Sequence, residues 1–227
     1  MATSGTIAFN PKLSEIFEES YERAGFELVN GNDFKTAVRS FNFMMAEWAN
    51  RGLNLWTIDT EDITLVSGTS TYTLSVANAV DLYHLVHRKG TGSSQFDTAM
   101  TRISAVDYSA IANKNQTGQP TQFWVDRKLD GPVINVWPVP SSADTLVVWF
   151  LRRVEDAGTT AAVTADIPFR FLPALVAGLS YHVSVKKRAP MDRVMALKQV
   201  YEIEYELAAG EDRDKSSFRV APSIGRI

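Results

Sequence analysis

Apolar residues near the start of the chain recur every three or four positions, the spacing of a helix that buries one face. Asn10-Pro11 can cap this segment and place a proline in its first turn, and Gly25 can end it. The apolar positions between them are Leu13, Ile16, Phe17, Tyr21 and Ala24. The pattern predicts a first helix of about four turns.

A second helical pattern runs from Asn32 to Gly52 and stops directly before strand-like sequence. Asn32 or Asp33 is expected to cap its start, and Gly52 to supply the left-handed residue that ends it. Because the loop around Gly31 is short, the two helices are predicted to be antiparallel neighbours. The apolar positions of the second helix are Phe34, Ala37, Val38, Phe41, Met44, Met45 and Trp48.

Two further helices are predicted near the other end, over 167–187 and 191–209, with Pro168 early in the first and Pro190 between them. Neither helical hairpin buries enough apolar surface to be stable alone in water, so the two are expected to pack into one antiparallel bundle. The apolar positions are Leu172, Leu175, Val176, Leu179 and Val183, then Val194, Leu197, Val200, Tyr201 and Tyr205.

The middle of the chain changes to the β-branched and aromatic composition of strands. Ile63–Val66 and Thr71–Leu74 flank a Ser-Gly-Thr-Ser turn, which predicts a hairpin. Ser104–Ile111 is expected to form one short capped helix. Further strands are predicted at Asp81–Arg88, Gln122–Asp126, Val133–Trp137 and Thr145–Arg152. Six or so short strands favour an antiparallel, sandwich-like domain or a strongly bent sheet.

These elements predict an α+β fold. Residues 1–52 and 166–210 would form the helical bundle domain, and 53–165 an inserted β domain. The last segment, 211–227, carries five charges within Glu211–Lys215, followed by sparse apolar residues. It is either a frayed terminus or an extended arm that docks on a partner. As an arm, its Arg219 and Arg226 would direct it to an acidic groove.

Composition narrows the function classes. The chain has 227 residues, a formal net charge of -3 and no cysteine, which excludes disulfides and thiolate metal sites. Its acidic balance argues against binding nucleic acid by neutralising phosphates. No apolar run reaches the ~20 residues that a membrane span needs, and the first residues lack a secretory signal pattern. We therefore expect a soluble protein made in the cytoplasm.

A search for catalytic or ligand-binding residues finds weak candidates. His84 and His87 should point to opposite faces of a strand, and His182 has no second ligand nearby in sequence. One alternative is a small hydrolase that uses the carboxylates of Asp126 and Asp130. Another is a monomeric carbohydrate-binding module with Trp124 or Trp137 as stacking platforms. The basic cluster Lys186-Lys187-Arg188 with Arg193 either compensates the helix dipole or faces an acidic partner. No catalytic, cofactor-binding or metal-binding residue is expected.

Four stretches of sequence resemble head-to-tail adaptor proteins of short-tailed bacteriophages. They are EWANRGLNLW at Glu47–Trp56, ITLVSGTSTYTL at Ile63–Leu74, INVWPVP at Ile134–Pro140 and AGEDRDKSSFRVAP at Ala209–Pro222. Together with the order of elements, they make the chain similar to the podovirus tail tubular protein A type, with packaged-DNA stabilisation adaptors as relatives. The resemblance extends from about Leu13 to Pro222.

The resemblance implies a virion structural protein, not an enzyme, that forms a homo-dodecameric ring beneath the portal vertex. This ring would join the portal protein to tail nozzle or tail tube proteins and tail fibres, and help retain packaged DNA. Double-stranded DNA would pass through it without sequence-specific binding, and no membrane is involved. The helical part would form the ring and the β part would project toward the tail. The C-terminal arm would bind the portal through Phe218, Arg219, Val220, Pro222, Ile224, Arg226 and Ile227.

Overall fold

A computed structural model describes residue 5 and residues 9–52, 55–158 and 163–213. The chain divides into two compact units, one formed by 1–56 with 155–227 and the other by 57–154. The described residues form five α-helices and mostly antiparallel sheets, which confirms the α+β class. The helices are α1 (Leu13–Ala24), α2 (Gly31–Arg51), α3 (Ala105–Ala110), α4 (Leu172–Lys186) and α5 (Met191–Glu211). None of the described helices is both long and apolar enough to cross a membrane.

Helix α1 buries all five of its predicted apolar positions. Its predicted start is wrong, because the helix begins after Pro11 rather than at Asn10. The backbone N–H of Lys12 donates instead to the Glu15 carboxylate, 3.1 Å away. Gly25 ends the helix in the left-handed conformation, with φ of 80°, as predicted.

Helix α2 begins earlier than predicted, and its cap is Asn30 rather than Asn32 or Asp33. The side-chain oxygen of Asn30 accepts from the N–H groups of those two residues, at 2.9 and 3.0 Å. Gly52 follows the helix with φ of 148° and ψ of -169°, so its positive φ suits glycine but it is not the predicted left-handed helical cap. Five of the seven predicted apolar positions are buried, whereas Phe34 and Val38 are half-buried.

Helices α4 and α5 differ from their predicted bounds. Residues Phe169–Phe171 form a short 3-10 turn after Pro168, so α4 starts at Leu172 rather than at 167. Helix α5 continues to Glu211, into the segment predicted as the arm. Val200, predicted to face the core, is exposed.

The second unit is built from ten short strands, most of them in two four-stranded sheets. In one sheet the strand order is β1-β10-β3-β4, and in the other β2-β8-β7-β5. The short strands β6 and β9 pair separately. The strands are β1 (Ile58–Thr64), β2 (Thr71–Thr73), β3 (Ala79–Lys89), β4 (Phe96–Ala99), β5 (Thr101–Arg102), β6 (Thr117–Gly118), β7 (Gln122–Lys128), β8 (Gly131–Trp137), β9 (Val139–Pro140) and β10 (Thr145–Arg152).

The hairpin predicted around Ser67–Ser70 is wrong. Strand β1 pairs with β10, whereas β2 pairs with β8 in the other sheet. The connection between them is fixed by Tyr72, whose hydroxyl accepts from the Val66 N–H at 3.1 Å and donates to the Thr69 carbonyl at 2.8 Å. The Gly68 N–H donates to the Pro140 carbonyl. The turn residues therefore carry the chain from one sheet to the other.

One apolar cluster draws on both four-stranded sheets. Along β8, buried residues alternate with half-buried ones, as expected for a strand that turns one face to a core. The capped helix predicted at 104–111 is confirmed: the Ser104 hydroxyl accepts from the Asp107 N–H. The cluster consists of Leu65, Tyr72, Ala79, Leu82, Leu85, Met100, Phe123, Val125, Ile134, Val136, Leu146, Val148 and Phe150.

Candidate interaction surfaces

The carboxylates that suggested a hydrolase lie on β7 and in the turn that follows it. Asp126 is 3.5 Å from the Nζ of Lys128, so its charge has a cationic neighbour. Asp130 is exposed in the turn to β8. Within the described ranges, no group of three or more His, Asp or Glu side chains is arranged to hold a metal ion. The structure adds no further catalytic group to either aspartate.

The two tryptophans considered as sugar platforms are half-buried. Trp124 stacks on Tyr108, with ring centroids 5.2 Å apart, so one face of its indole is already covered. The Nε1 of Trp137 donates to the Asn113 carbonyl at 3.1 Å. Both side chains thus contribute to packing in the β unit.

Two of the histidines lie on β3 and the third lies on α4. His84 is exposed and His87 is buried on β3, which confirms that they point to opposite faces. His87 Nε2 lies 3.1 Å from the Asp144 carboxylate. His182 is on α4, with Nε2 3.6 Å from Glu47. Burial lowers the pKa of His182 below its usual value, and the nearby Glu47 opposes this shift only in part.

Three cations of the predicted basic cluster bond to groups within the helical unit. Lys187 Nζ contacts the Asp33 carboxylate, whose pKa is lowered by this hydrogen bond. Lys186 Nζ donates to the Thr36 carbonyl. Arg193 donates to the carbonyl of Arg23. These intramolecular bonds leave little support for a patch that faces an acidic partner.

A polar network joins α2 to α5 inside the helical unit. The Trp48 Nε1 donates to the Tyr201 hydroxyl at 2.8 Å, and that hydroxyl donates to Glu47 at 3.3 Å. Arg51 forms two hydrogen bonds to Glu202, at 2.6 and 3.0 Å, which lower the pKa of that carboxyl. Burial raises the pKa of Tyr201 above its usual range. The sequence pattern indicated that Trp48 and Tyr201 were core residues, but contained no sign that they pair.

Helix α5 carries apolar side chains on the side that α4 does not cover. We call these residues the α5 outer stripe: Met191, Met195, Ile203 and Leu207, which recur at multiples of four residues together with the polar Gln199. Met195, Ile203 and Leu207 are 58%, 50% and 64% exposed. Asp192, Glu202 and Glu206 lie beside this stripe, with Lys198 as one cation. The surface is therefore apolar along its centre and acidic along its edges.

Helix α2 presents a surface of opposite charge. We call it the α2 basic face: Lys35, Arg39 and Phe43, three residues spaced by four positions on the exposed side of the helix. Lys35 and Arg39 border an open groove of about 600 Å³ whose apolar lining includes Phe34 and Val38. Phe43 is 71% exposed. Lys186 of α4 adds positive charge beside this helix, where its Nζ donates to the Thr36 carbonyl. Burial, and to a smaller extent the charge of Arg39, lowers the pKa of Lys186.

A second open groove lies between α1 and α4. Its volume is about 470 Å³, and apolar side chains including Phe9, Phe169 and Val176 line it. Glu15, Glu19 and Arg23 stand at its edge. Arg23 and Glu19 form an ion pair with each other at 2.7 Å, so part of the charge on this edge is already compensated.

The residues predicted to bind the portal, Phe218, Arg219, Val220, Pro222, Ile224, Arg226 and Ile227, lie outside the described residues. The structure does describe the root of that segment. The Asp212 carboxylate accepts from the Leu55 N–H at 2.9 Å and lies 3.5 Å from Arg170. Arg170 also donates to the Glu211 carbonyl at 3.1 Å. The end of α5 is therefore bonded to two other parts of the helical unit.

Comparison with known proteins identifies one family. A sequence model described as SU10 adaptor protein matches residues 19–224. No curated protein matches the chain significantly.

Proposed function

We propose, because the chain belongs to the SU10 adaptor protein family, that it is a bacteriophage virion structural protein that joins the portal to the tail. The observation that carries this proposal is the family match over residues 19–224, which includes the second half of α1, all of α2, α4 and α5, and the whole β unit. An adaptor works by binding. The described surroundings of Asp126 and Asp130 do not favour a hydrolase, and those of Trp124 and Trp137 do not favour a carbohydrate-binding module.

The assembly that we propose is a homo-dodecameric ring of the podovirus tail tubular protein A type. Residues 1–52 and 166–210 would form a helical bundle that builds the ring. Residues 53–165 would form a sandwich-like β domain directed to tail nozzle or tail tube proteins and tail fibres. The exposed apolar residues Met195, Ile203 and Leu207 of α5 support this assembly, since apolar side chains grouped on a protein surface favour association.

The proposed portal contact is the C-terminal arm, from Phe218 to Ile227. What supports it is the hydrogen bonding of Asp212 and Glu211 at the root of the arm. A root held in this way fixes the place on the helical unit from which the arm would extend. The isolated apolar anchors Phe218, Val220 and Ile224 then suit docking in an extended conformation.

The proposed ring would help retain packaged DNA without binding its sequence. Each subunit brings a formal net charge of -3, so a ring of such subunits repels a polyanion mildly. A channel that repels DNA mildly would let it slide through without holding its phosphates.

Native mass spectrometry of the full chain, alone and mixed with portal rings of the same phage, tests the proposal. We expect twelve added copies for each portal ring. A chain that stays monomeric and leaves the portal unmodified would refute the adaptor function.

Deletion of residues 217–227 tests the arm. We expect the shortened chain to lose portal binding while its circular dichroism and melting temperature stay unchanged. A second variant keeps the length of the chain and replaces Phe218, Val220 and Ile224 by serine. It should lose portal binding in the same way. Portal binding that survives both changes would exclude the arm as the anchor.

A further inference from the structure

We propose that the α5 outer stripe of one subunit packs against the α2 basic face of a second copy of this chain. The inference rests on the proposed function, because it names the contact through which the proposed ring would close. Its two surfaces are Met191, Met195, Ile203 and Leu207 on α5, and Lys35, Arg39 and Phe43 on α2.

The first argument is that α5 has two apolar sides and the chain covers one of them. Val194, Tyr201 and Tyr205 are buried on the inner side, where α5 packs mainly on α4. On the other side of the helix, Met195 and Ile203 lie two turns apart and are 58% and 50% exposed. Exposed apolar side chains that share one side of a helix favour contact with a partner there.

The second argument is that the two surfaces have opposite charge. Asp192 and Glu206 flank the α5 outer stripe, whereas Lys35 and Arg39 border the groove on α2. An acidic edge facing a basic edge speeds encounter and fixes the register of two apolar surfaces.

The charges also disfavour the simplest alternative, a twofold dimer. Two α5 outer stripes placed together would join two acidic surfaces, and two α2 basic faces would join two basic ones. Like charges that face each other across an interface oppose association. Contact between two different surfaces of the same chain is heterologous, the type that generates closed rings.

The groove between α1 and α4 fits the α5 outer stripe less well. Helix α1 exposes Glu15, Glu18, Glu19 and Glu22, and one cation of that helix, Arg23, is already paired with Glu19. Acidic residues would then face acidic residues. The α2 basic face is therefore the better match for the acidic edge of α5.

Charge reversal with rescue tests the contact in the full-length chain. One variant carries Lys35→Glu and Arg39→Glu, a second carries Gln199→Lys and Glu206→Lys, and a third combines all four changes. A control with Glu18→Gln and Glu22→Lys changes the net charge as the second variant does, but on α1. Each is titrated onto portal rings and the bound copies are counted by native mass spectrometry.

We expect each one-sided variant to need at least about tenfold more protein for full loading of the portal rings. The combined variant should load at nearly the concentration of the original chain. The α1 control should load like the original chain. Full loading by both one-sided variants at unchanged concentration would overturn the inference while leaving the adaptor function intact. Loss without rescue would overturn the pairing and assign the surfaces to the portal or another partner. Failure of the original chain to load would instead refute the proposed function.

A disulfide trap provides an independent readout, since the chain has no cysteine of its own. A variant with Arg39→Cys and Glu206→Cys is assembled on portal rings and oxidised. We expect a ladder of covalent oligomers beyond the dimer, because each subunit would be linked on both sides. The two single-cysteine variants can form dimers at most. Absence of a ladder on fully loaded rings would contradict this contact.

Discussion

Helices α4 and α5 lie side by side in the same unit but have different surroundings. Residues on several sides of α4 are buried, including Ala174, Ala177, Gly178 and Ser180, so small residues allow its neighbours to approach closely. Helix α5 buries a single stripe and leaves apolar residues on its other side exposed. Small residues thus mark the helix at the centre of the unit. A second apolar stripe marks a helix with a surface still available to a partner.

The largest expected effect tests the packing around α4. A Cβ atom at Gly178 would lie 2.5 Å from the Met44 sulfur and 2.8 Å from the Tyr201 ring. We expect Gly178→Val to lower the free energy of unfolding by about 3 kcal/mol, the cost of an overpacked core. The measurement is urea denaturation followed by circular dichroism.

Gly210 on α5 is the matched control, because among the described residues no atom outside its own stretch of helix lies within 4 Å of the position a Cβ would take. Gly210→Val should change stability by no more than about 0.5 kcal/mol, since Gly and Val differ little in helix propensity. Equal losses for the two variants would remove the distinction between a central and a peripheral helix.

The inner side of α5 is tested by Tyr201→Phe. Removal of the hydroxyl leaves the buried Trp48 N–H without the acceptor that lies 2.8 Å away. We expect a loss of about 1–3 kcal/mol, the usual cost of an unpaired buried donor. Tyr83→Phe on the exposed side of β3 should leave the melting temperature unchanged. A neutral Tyr201→Phe would show that the network does not hold α2 to α5.

The two sides of α5 can be compared with one substitution at two positions. Val194 is 9% exposed and Val200 is 44% exposed. Val194→Thr places a hydroxyl on the buried side and should cost about 1 kcal/mol more than Val200→Thr. Thermal unfolding of both variants in isolation gives the difference. A larger loss at Val200 would mean that the outer side of α5 is covered within the isolated chain.

The smallest expected effect is a pH dependence that originates in α4. The folded state lowers the pKa of His182, so below the ordinary value of about 6.5 the unfolded chain takes up a proton that the folded chain does not. The neutral His182 therefore makes its full contribution to the free energy of unfolding above about pH 6.5. As the pH falls below this value, the free energy of unfolding decreases by at most about 1.4 kcal/mol per pH unit from this group.

Removal of the imidazole separates this effect from that of the carboxylates. His182→Gln should flatten the stability profile just below pH 6.5. The losses at lower pH from Asp33 and Glu202, whose pKa values are also depressed, should remain. His84→Gln, at an exposed site on β3, is the control substitution. A His182→Gln profile identical to that of the original chain would contradict the assignment.

Sequence reasoning succeeded where a local pattern has one physical interpretation. The spacing of apolar residues in α1 predicted its buried side because a helix with that pattern has one way to hide it. It failed at Val200, since the pattern of a helix with two apolar sides does not say which side its own chain covers. It failed at the 67–70 turn, because turn residues specify a change of direction but not the strand that follows as partner. The Trp48–Tyr201 bond joins residues 153 positions apart, beyond any local signal.

The Asp212 carboxylate has a mechanical consequence. It bonds to the backbone of Leu55, two residues before the second unit begins at Thr57. A tension applied to the chain beyond residue 213 would thus be shared between the last turn of α5 and the segment that leads into the β unit. Neither the last turn of α5 nor the backbone at Leu55 would then bear the whole load alone.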